Sequence, residues 1–164
     1  CSVFIVHARK ALLKGLSPKD NRTIPPLQYP LLYEMQKNFP GLDIILNGGL
    51  TELKEMKSCL KNRVAGVMIG REAYENPSLL LNVDNEIFDQ KEKVGSMKDA
   101  VRNMIEYCDR EKAEGTEIKG ILKHLKGAFK GQANSKEFKR VLFCNETTDS
   151  EKLKRLSNLV PIYF

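Results

Sequence analysis

The stretch DIILNGGLTELKEMKSCLKNRVAGVMIGRE, residues 43–72, determines the fold class of this chain. Two short apolar segments, Asp43–Leu46 and Ala65–Ile69, flank a segment with helical periodicity. Neither apolar segment alternates with polar residues, which is typical of parallel strands covered on both faces. A strand, a helix and a second strand in this order predict a βαβ unit built on a parallel sheet.

The same alternation extends in both directions from this stretch. Ser2–Val6 predicts an earlier strand, and PLLYEMQKNF (30–39) predicts the helix that leads to the second strand. Thr51 is the expected N-cap of the helix after the Asn-Gly-Gly turn. EAYENPSLLL (72–81) predicts a helix after the last strand. We therefore expect residues 1–85 to form an α/β part of the chain.

Beyond residue 85 the periodicity indicates helices only. The longest segment begins at Ser96, an expected N-cap, and stops at Gly115, and the last is expected to be capped by Asp149. The four predicted helices are SMKDAVRNMIEYCDREKAEG (96–115), EIKGILKHLKGAFKG (117–131), SKEFKRVLF (135–143) and DSEKLKRLSNLV (149–160). We expect residues 86–164 to form an all-α domain.

Composition narrows the class of protein and its partners. The 164 residues are 41% hydrophobic and 29% charged, with a net charge of +6. The basic residues form two clusters. Residues 119–140 contain seven basic residues and one acidic residue, Glu137, and residues 7–25 contain five basic residues and one acidic residue, Asp20. Two such clusters favour a polyanion such as RNA as partner.

Other features of the sequence argue against membrane, secreted and metal-binding proteins. No apolar run approaches the ~20 residues of a membrane span, and no segment resembles a signal peptide. The four cysteines are far apart and form no metal-binding pattern, so reduced thiols and no metal are expected. We expect no membrane association, and a location in the cytoplasm or in an organelle. The chain starts at Cys1 on a strand-like segment, which leads us to expect a piece of a longer protein.

The chemistry-bearing residues lie where the predicted strands end. Asn47, Gly48 and Gly49 follow one strand and Gly70 and Arg71 the next. Glycines let backbone N–H groups approach a ligand, a helix N-terminus favours an anion, and a guanidinium suits bidentate phosphate contact. In (β/α)8 barrels, loops after the seventh and eighth strands often form a phosphate site.

Each motif also has a plainer interpretation. The glycines are equally consistent with a tight turn, and Arg71 with an exposed ion pair to Glu72 or Glu75. His7, at the end of the first strand, is most simply a structural hydrogen-bonding residue. If the next two strands hold a phosphate, however, His7 lies at the same edge and faces the same ligand.

Four motifs together resemble one family. HARKALLKGLSPKDNRTIPPL (7–27), NGG (47–49), GVMIGREAYENP (66–77) and LKGAFKGQANSKEFKR (125–140) are similar to the tRNA-dihydrouridine synthases, bacterial-type A subfamily. The resemblance runs from about Ser2 to Leu142. It implies the last three βα units of an FMN-binding (β/α)8 barrel, followed by a helical tRNA-binding domain. The implied activity is NADPH-driven reduction of D-loop uridine (20/20a) in tRNA to 5,6-dihydrouridine, by a monomeric parent enzyme.

The resemblance also implies roles for individual residues. FMN would be bound by His7, Asn47, Gly48, Gly49, Gly70 and Arg71. The tRNA would be contacted by Lys19, Arg22, Lys136 and Lys139.

This sequence departs from the family in three respects. None of its cysteines has the context of the family's proton donor, so no catalytic residue is assigned and the chain alone is expected to be inactive. The lysine of an earlier strand that contacts the flavin in the family has no counterpart here. Asn134 and Lys136 stand where the family usually has glycine and arginine. Two alternatives stay open: another FMN-binding barrel oxidoreductase, and a non-catalytic RNA-binding module.

Overall fold

The computed structural model describes residues 1–91 and 95–163, with side chains described as far as residue 160. Within this part of the chain, two compact units are present, Cys1–Glu72 and Ala73–Phe164. Residues 73–85, which were assigned from the sequence to the α/β part, group with the second unit. The assignment of a barrel part to residues 1–85 and of a tRNA-binding domain to 86–164 stays a prediction.

The first unit is built on a parallel sheet. Its strands, in the order β1-β2-β3, are β1 (Val3–His7), β2 (Asp43–Asn47) and β3 (Gly66–Met68). In this register His7 pairs with Asn47, and Asn47 pairs with Met68. The carboxyl ends of the three strands therefore meet at one edge, as the sequence predicts.

Helices α2 (Tyr29–Asn38) and α3 (Leu53–Lys61) connect the strands and pack against the sheet. The N-cap of α3 is Glu52 and not the expected Thr51, because Glu52 and Glu55 form a reciprocal capping box. Leu32, Ile44 and Leu46 are buried between these elements.

One face of strand β2 is buried, whereas strand β1 is exposed. Val3, Phe4 and Ile5 of β1 are 49%, 39% and 59% exposed, whereas Ile44 and Leu46 of β2 are fully buried. Ile44 and Leu46 share one face of β2; on the other face Asp43 is exposed and Ile45 and Asn47 are half-buried, so the expectation of strands covered on both faces is not met. Strand β1 lies at an edge of the described sheet with apolar side chains exposed.

The second unit is helical. Its longer helices are α6 (Met97–Ala113), α8 (Ser135–Leu142) and α9 (Asp149–Tyr163). These pack around one core that includes Val101, Cys108, Phe138 and Leu156. The shorter elements are α4 (Arg71–Glu75), whose first two residues belong to the first unit, a 3₁₀ helix (Pro77–Asn82), α5 (Val83–Ile87), α7 (Lys119–Leu122) and a 3₁₀ helix (Lys123–Leu125).

Helix ends confirm some of the predicted caps and correct others. Ser96 caps α6 by accepting a hydrogen bond from the N–H of Asp99, and Gly115 follows the helix with a φ of +88°. The capping side chain of α9 is Thr148 and not Asp149, because its hydroxyl accepts from the N–H of Glu151 at 3.3 Å. The single helix expected over residues 117–131 is instead α7, a 3₁₀ helix and a series of turns.

In the described part of the chain, no helix is both long and apolar enough to cross a bilayer.

Candidate functional site

The candidate site lies at the carboxyl edge of the sheet in the first unit. His7 closes β1, Asn47 closes β2, and Arg71 begins α4 (Arg71–Glu75) after β3. The carbonyl of Asn47 accepts a hydrogen bond from the N–H of Ala8 at 2.7 Å, which extends the β1–β2 pairing past His7. The strand ends predicted to form one site are therefore adjacent.

The Asn-Gly-Gly turn packs closely against His7. Gly48 has a φ of +119° and Gly49 a φ of +73°, conformations that side chains rarely adopt. A Cβ at Gly48 would stand 3.2 Å from Cε1 of the His7 ring. The turn thus needs glycine for both its backbone conformation and its approach to the imidazole.

Tyr29, which sequence reasoning missed, supports the same turn. Its hydroxyl donates to the carbonyl oxygen of Gly48 at 2.7 Å, and a Cβ at Gly49 would stand 3.3 Å from that hydroxyl oxygen. Tyr29 begins α2, so the start of this helix holds the turn in place. A tyrosine before a helical pattern carries no sequence signal for this role.

The electrostatic surroundings of His7 are cationic. Partial burial lowers the pKa of His7, and the positive charges of Arg9, Arg71 and Arg22 lower it further. The ring is therefore neutral near pH 7 and retains one donor and one acceptor nitrogen. Positive charge around a neutral donor suits an anionic ligand such as a phosphate.

The long segment after β1 folds back toward this edge. A short helix, α1 (Pro18–Asn21), interrupts it, with Ser17 as N-cap. The side-chain amide of Asn21 accepts from the N–H of Leu12 at 2.8 Å and donates to the carbonyl of Leu12 at 2.9 Å. The segment is thus ordered by its own side chains.

Two arginines link this segment to the strand ends. The guanidinium of Arg71 donates to the carbonyl of Arg22 at 3.3 Å, and that of Arg9 donates to the carbonyl of Pro25. Nε of Arg9 is buried without a hydrogen-bond partner among the described residues. Arg9, to which the sequence assigned no role, therefore anchors the segment and leaves one buried donor available.

The residues at this edge fit the phosphate end of FMN. The charged groups that shift the pKa of His7 are all cations, and Arg9 has an unpartnered buried donor. Gly48 packs against the imidazole, where a Cβ would stand 3.2 Å from Cε1 of His7. For Gly70 the structure gives no steric reason for glycine, since a Cβ there would meet nothing within 4 Å.

The four predicted tRNA-contacting residues lie on two different units. Lys19 is exposed on α1, and Arg22, also exposed, follows that helix. Lys136 and Lys139 lie on α8 three residues apart, Lys136 exposed and Lys139 partly buried. Asn134, which precedes α8, has a φ of +63°, the conformation for which glycine is the usual residue.

Comparison with known proteins assigns the family. A model of the dihydrouridine synthase (Dus) family matches residues 1–161. The chain belongs to the dihydrouridine synthase family.

Several curated relatives share close to half of the matched residues. The tRNA-dihydrouridine(20/20a) synthase of Escherichia coli strain K12 is 45% identical over 142 residues, which cover 87% of this chain and 41% of the relative. The enzymes of the same name from Haemophilus ducreyi and Vibrio cholerae are 45% and 44% identical over 139 and 140 residues, covering 85% of this chain and 43% and 42% of the relatives. This member of the family therefore spans about two fifths of the length of the curated relatives it matches.

Proposed function

We propose that this chain is part of an FMN-dependent tRNA-dihydrouridine synthase, which reduces uridine 20/20a of tRNA with NADPH. The observation that carries the proposal is the cationic edge at which Gly48 packs on a neutral His7 beside Arg71. In the whole protein, this edge would belong to a (β/α)8 barrel and the second unit to a helical tRNA-binding domain.

The residues of the first unit would hold the phosphate of FMN. Arg71 and Arg9 offer cationic donors, and the Asn-Gly-Gly turn offers backbone N–H groups directly after β2. The neutral ring of His7 can donate one hydrogen bond to the cofactor. When bound, the reduced flavin would supply the hydride for the uracil double bond.

The basic residues would hold the tRNA. Lys19 lies on α1, Arg22 follows that helix and accepts a hydrogen bond from Arg71 at its carbonyl, and Lys136 and Lys139 lie on α8. Lysine contacts a phosphate as a point charge without the fork of arginine, so Lys136 would orient the RNA less strictly than an arginine. A uridine must leave its stack before any chemistry on its ring, and phosphate contacts on either side would stabilise that state.

Flavin binding tests the first unit. We expect the 164-residue chain to bind FMN at least tenfold more tightly than riboflavin, because the phosphate is the part recognised. Arg71→Met should remove this preference, whereas Arg102→Met, which alters an exposed arginine paired with Asp99, should keep it. Flavin fluorescence titration measures both, and equal affinity for FMN and riboflavin would contradict the phosphate assignment.

Transfer-RNA binding tests the basic surfaces. We expect the affinity to fall by orders of magnitude over a few-fold rise in salt, because several phosphates release counterions on binding. A salt-independent affinity would exclude the RNA part of the proposal.

The chain alone should not complete the reaction. With FMN, NADPH and unmodified tRNA we expect no dihydrouridine, since none of the four cysteines has the context of the family's proton donor and the described sheet has three strands. Detection of dihydrouridine by mass spectrometry of the digested tRNA would refute this expectation.

A further inference from the structure

A cavity in the second unit combines a buried lysine with two exposed ones. The cavity has a volume of about 460 Å³ and is lined in part by Glu117, Lys119, Lys123 and Lys152. Three ammonium groups against one carboxylate leave it positively charged. None of these residues belongs to the flavin edge or to the residues assigned to tRNA.

Lys152 is the most buried of the three lysines. It lies on α9, is 5% exposed and lines the cavity. Its Nζ is not among the buried side-chain atoms that lack a hydrogen-bond partner, so the burial falls on the aliphatic stem and not on an unpaired ammonium. An anion in the cavity would be bound by this ammonium together with those of Lys119 and Lys123.

Lys119 and Lys123 extend the same charge to the rim of the cavity. They lie four residues apart on α7 and the 3₁₀ helix that continues it, so their side chains project from neighbouring positions. The hydroxyl of Tyr74 donates to the carbonyl of Lys123 at 3.0 Å, and the Tyr74 ring packs edge-on against His124. These contacts fix the backbone from which Lys123 projects.

One wall of the cavity is aromatic. Phe143, at the end of α8, lines it with a side chain that is 47% exposed. Aromatic rings beside basic side chains are where nucleic-acid bases stack, since every base has a flat π face. The cavity is also larger than a bare phosphate needs and lies within the range of small-molecule sites.

Gly120 also lines the cavity. A Cβ at this position would meet nothing within 4 Å, and the backbone there is helical, where glycine is less favourable than alanine. Packing among the described residues therefore does not explain the glycine at this position, which lines the cavity.

We propose that this cavity binds one nucleotide, with its phosphate on Lys119, Lys123 and Lys152 and its base on Phe143. The nucleotide is either a free mononucleotide or a unit of an RNA strand. The site is independent of the flavin edge, and its failure would leave the function proposed above untouched.

The test is a nuclear magnetic resonance titration of the ¹⁵N-labelled 164-residue chain with adenosine 5′-monophosphate. We expect saturable shifts at the amides of Gly120 and Asn145, both of which line the cavity. Adenosine and inorganic phosphate should each bind at least tenfold more weakly, because each lacks one of the two contacts. Shifts confined to amides elsewhere would overturn the proposal.

Three variants distinguish the effects of lost charge, lost cavity volume and misfolding on nucleotide binding. Lys152→Met keeps the length of the side chain and should weaken binding at least tenfold. Lys154→Met, an exposed lysine two residues further along the same helix, should change nothing. Gly120→Leu should fill the cavity and abolish binding while leaving the amide spectrum of the α6 core intact. Wild-type affinity in Lys152→Met would refute the assignment.

A single-stranded RNA hexamer identifies the source of the nucleotide. If RNA binding weakens tenfold in Lys152→Met and Gly120→Leu, the cavity takes a unit of the strand. If only the mononucleotide depends on these residues, it takes a free nucleotide. If neither ligand depends on them, the cavity is not a nucleotide site.

Discussion

Gly127 is the position in the second unit where one added methyl group should be most damaging. A Cβ there would lie 2.5 Å from the carbonyl oxygen of Tyr74 and 2.6 Å from the carbonyl carbon and oxygen of Glu75. Real Cβ atoms do not approach below 3.0 Å. Because all three atoms belong to the backbone, no change of rotamer relieves the contact, and the two segments must separate by about 0.5 Å in a close-packed region.

We expect Gly127→Ala to lower the free energy of unfolding of the second unit by about 2–3 kcal/mol, the usual effect of forcing atoms into a packed site. Gly120→Ala is the matched control, because a Cβ there would meet nothing within 4 Å. In that variant the unit should keep its stability or gain up to about 1 kcal/mol, since alanine favours the helix.

Hydrogen exchange of the buried α6 amides, such as those of Val101 and Ile105, measures the difference. Amides that exchange only when the whole unit unfolds should exchange about 30 to 150 times faster in Gly127→Ala. This range follows because each 1.4 kcal/mol of lost stability raises the unfolded fraction about tenfold. Equal exchange in Gly127→Ala and Gly120→Ala would refute the close approach of residue 127 to the Tyr74–Glu75 backbone.

Three further outcomes follow from the charges and the backbone. A nuclear magnetic resonance titration should give His7 a pKa below the usual histidine value, and Arg71→Met should raise this pKa because one nearby cation is removed. The unfolded chain binds the His7 proton more readily than the folded chain does. The first unit should therefore become less stable as the pH falls through the usual histidine range. Alkylation at pH 8 should modify Cys144 and spare Cys108, because burial raises the pKa of Cys108 to about 11, whereas a hydrogen bond from the backbone N–H of Glu146 lowers the pKa of Cys144. Urea unfolding should show that Asn134→Ala lowers stability by about 1 kcal/mol while Asn134→Gly does not, because residue 134 has a left-handed φ and its side chain makes no capping hydrogen bond.

Periodicity was sufficient to predict the sheet and the long helices. Strand β2 begins at Asp43 as expected, and α6 begins after Ser96 and ends before Gly115. These elements are determined by local patterns of apolar residues and by capping chemistry that acts within a few residues.

The segment over residues 117–131 shows where local reasoning fails. Its apolar spacing favours one helix, but the backbone tightens to a 3₁₀ helix at Lys123–Leu125 and then turns. Gly127 approaches the backbone of Tyr74 and Glu75. A contact between residues some fifty positions apart leaves no periodic signal in the sequence.

The candidate site was predictable in its residue types and not in its internal contacts. Glycine pairs and an arginine after strands indicate a phosphate site by general chemistry. The hydrogen bond from Arg71 to the carbonyl of Arg22, and that from Tyr29 to the carbonyl of Gly48, use backbone acceptors. Every residue has such an acceptor, so its partner cannot be recognised from residue identity.

The site requires one particular strand register, in which His7 pairs with Asn47 and Asn47 pairs with Met68. Because side chains alternate along a strand, a slip of one residue in β1 would turn His7 to the opposite face and put Val6 or Ala8 opposite Asn47. No register lies between these two, so weaker strand pairing would not change the geometry of the site gradually. A population of molecules would instead divide into those with the site intact and those without it, and partial ligand binding would reflect their proportion.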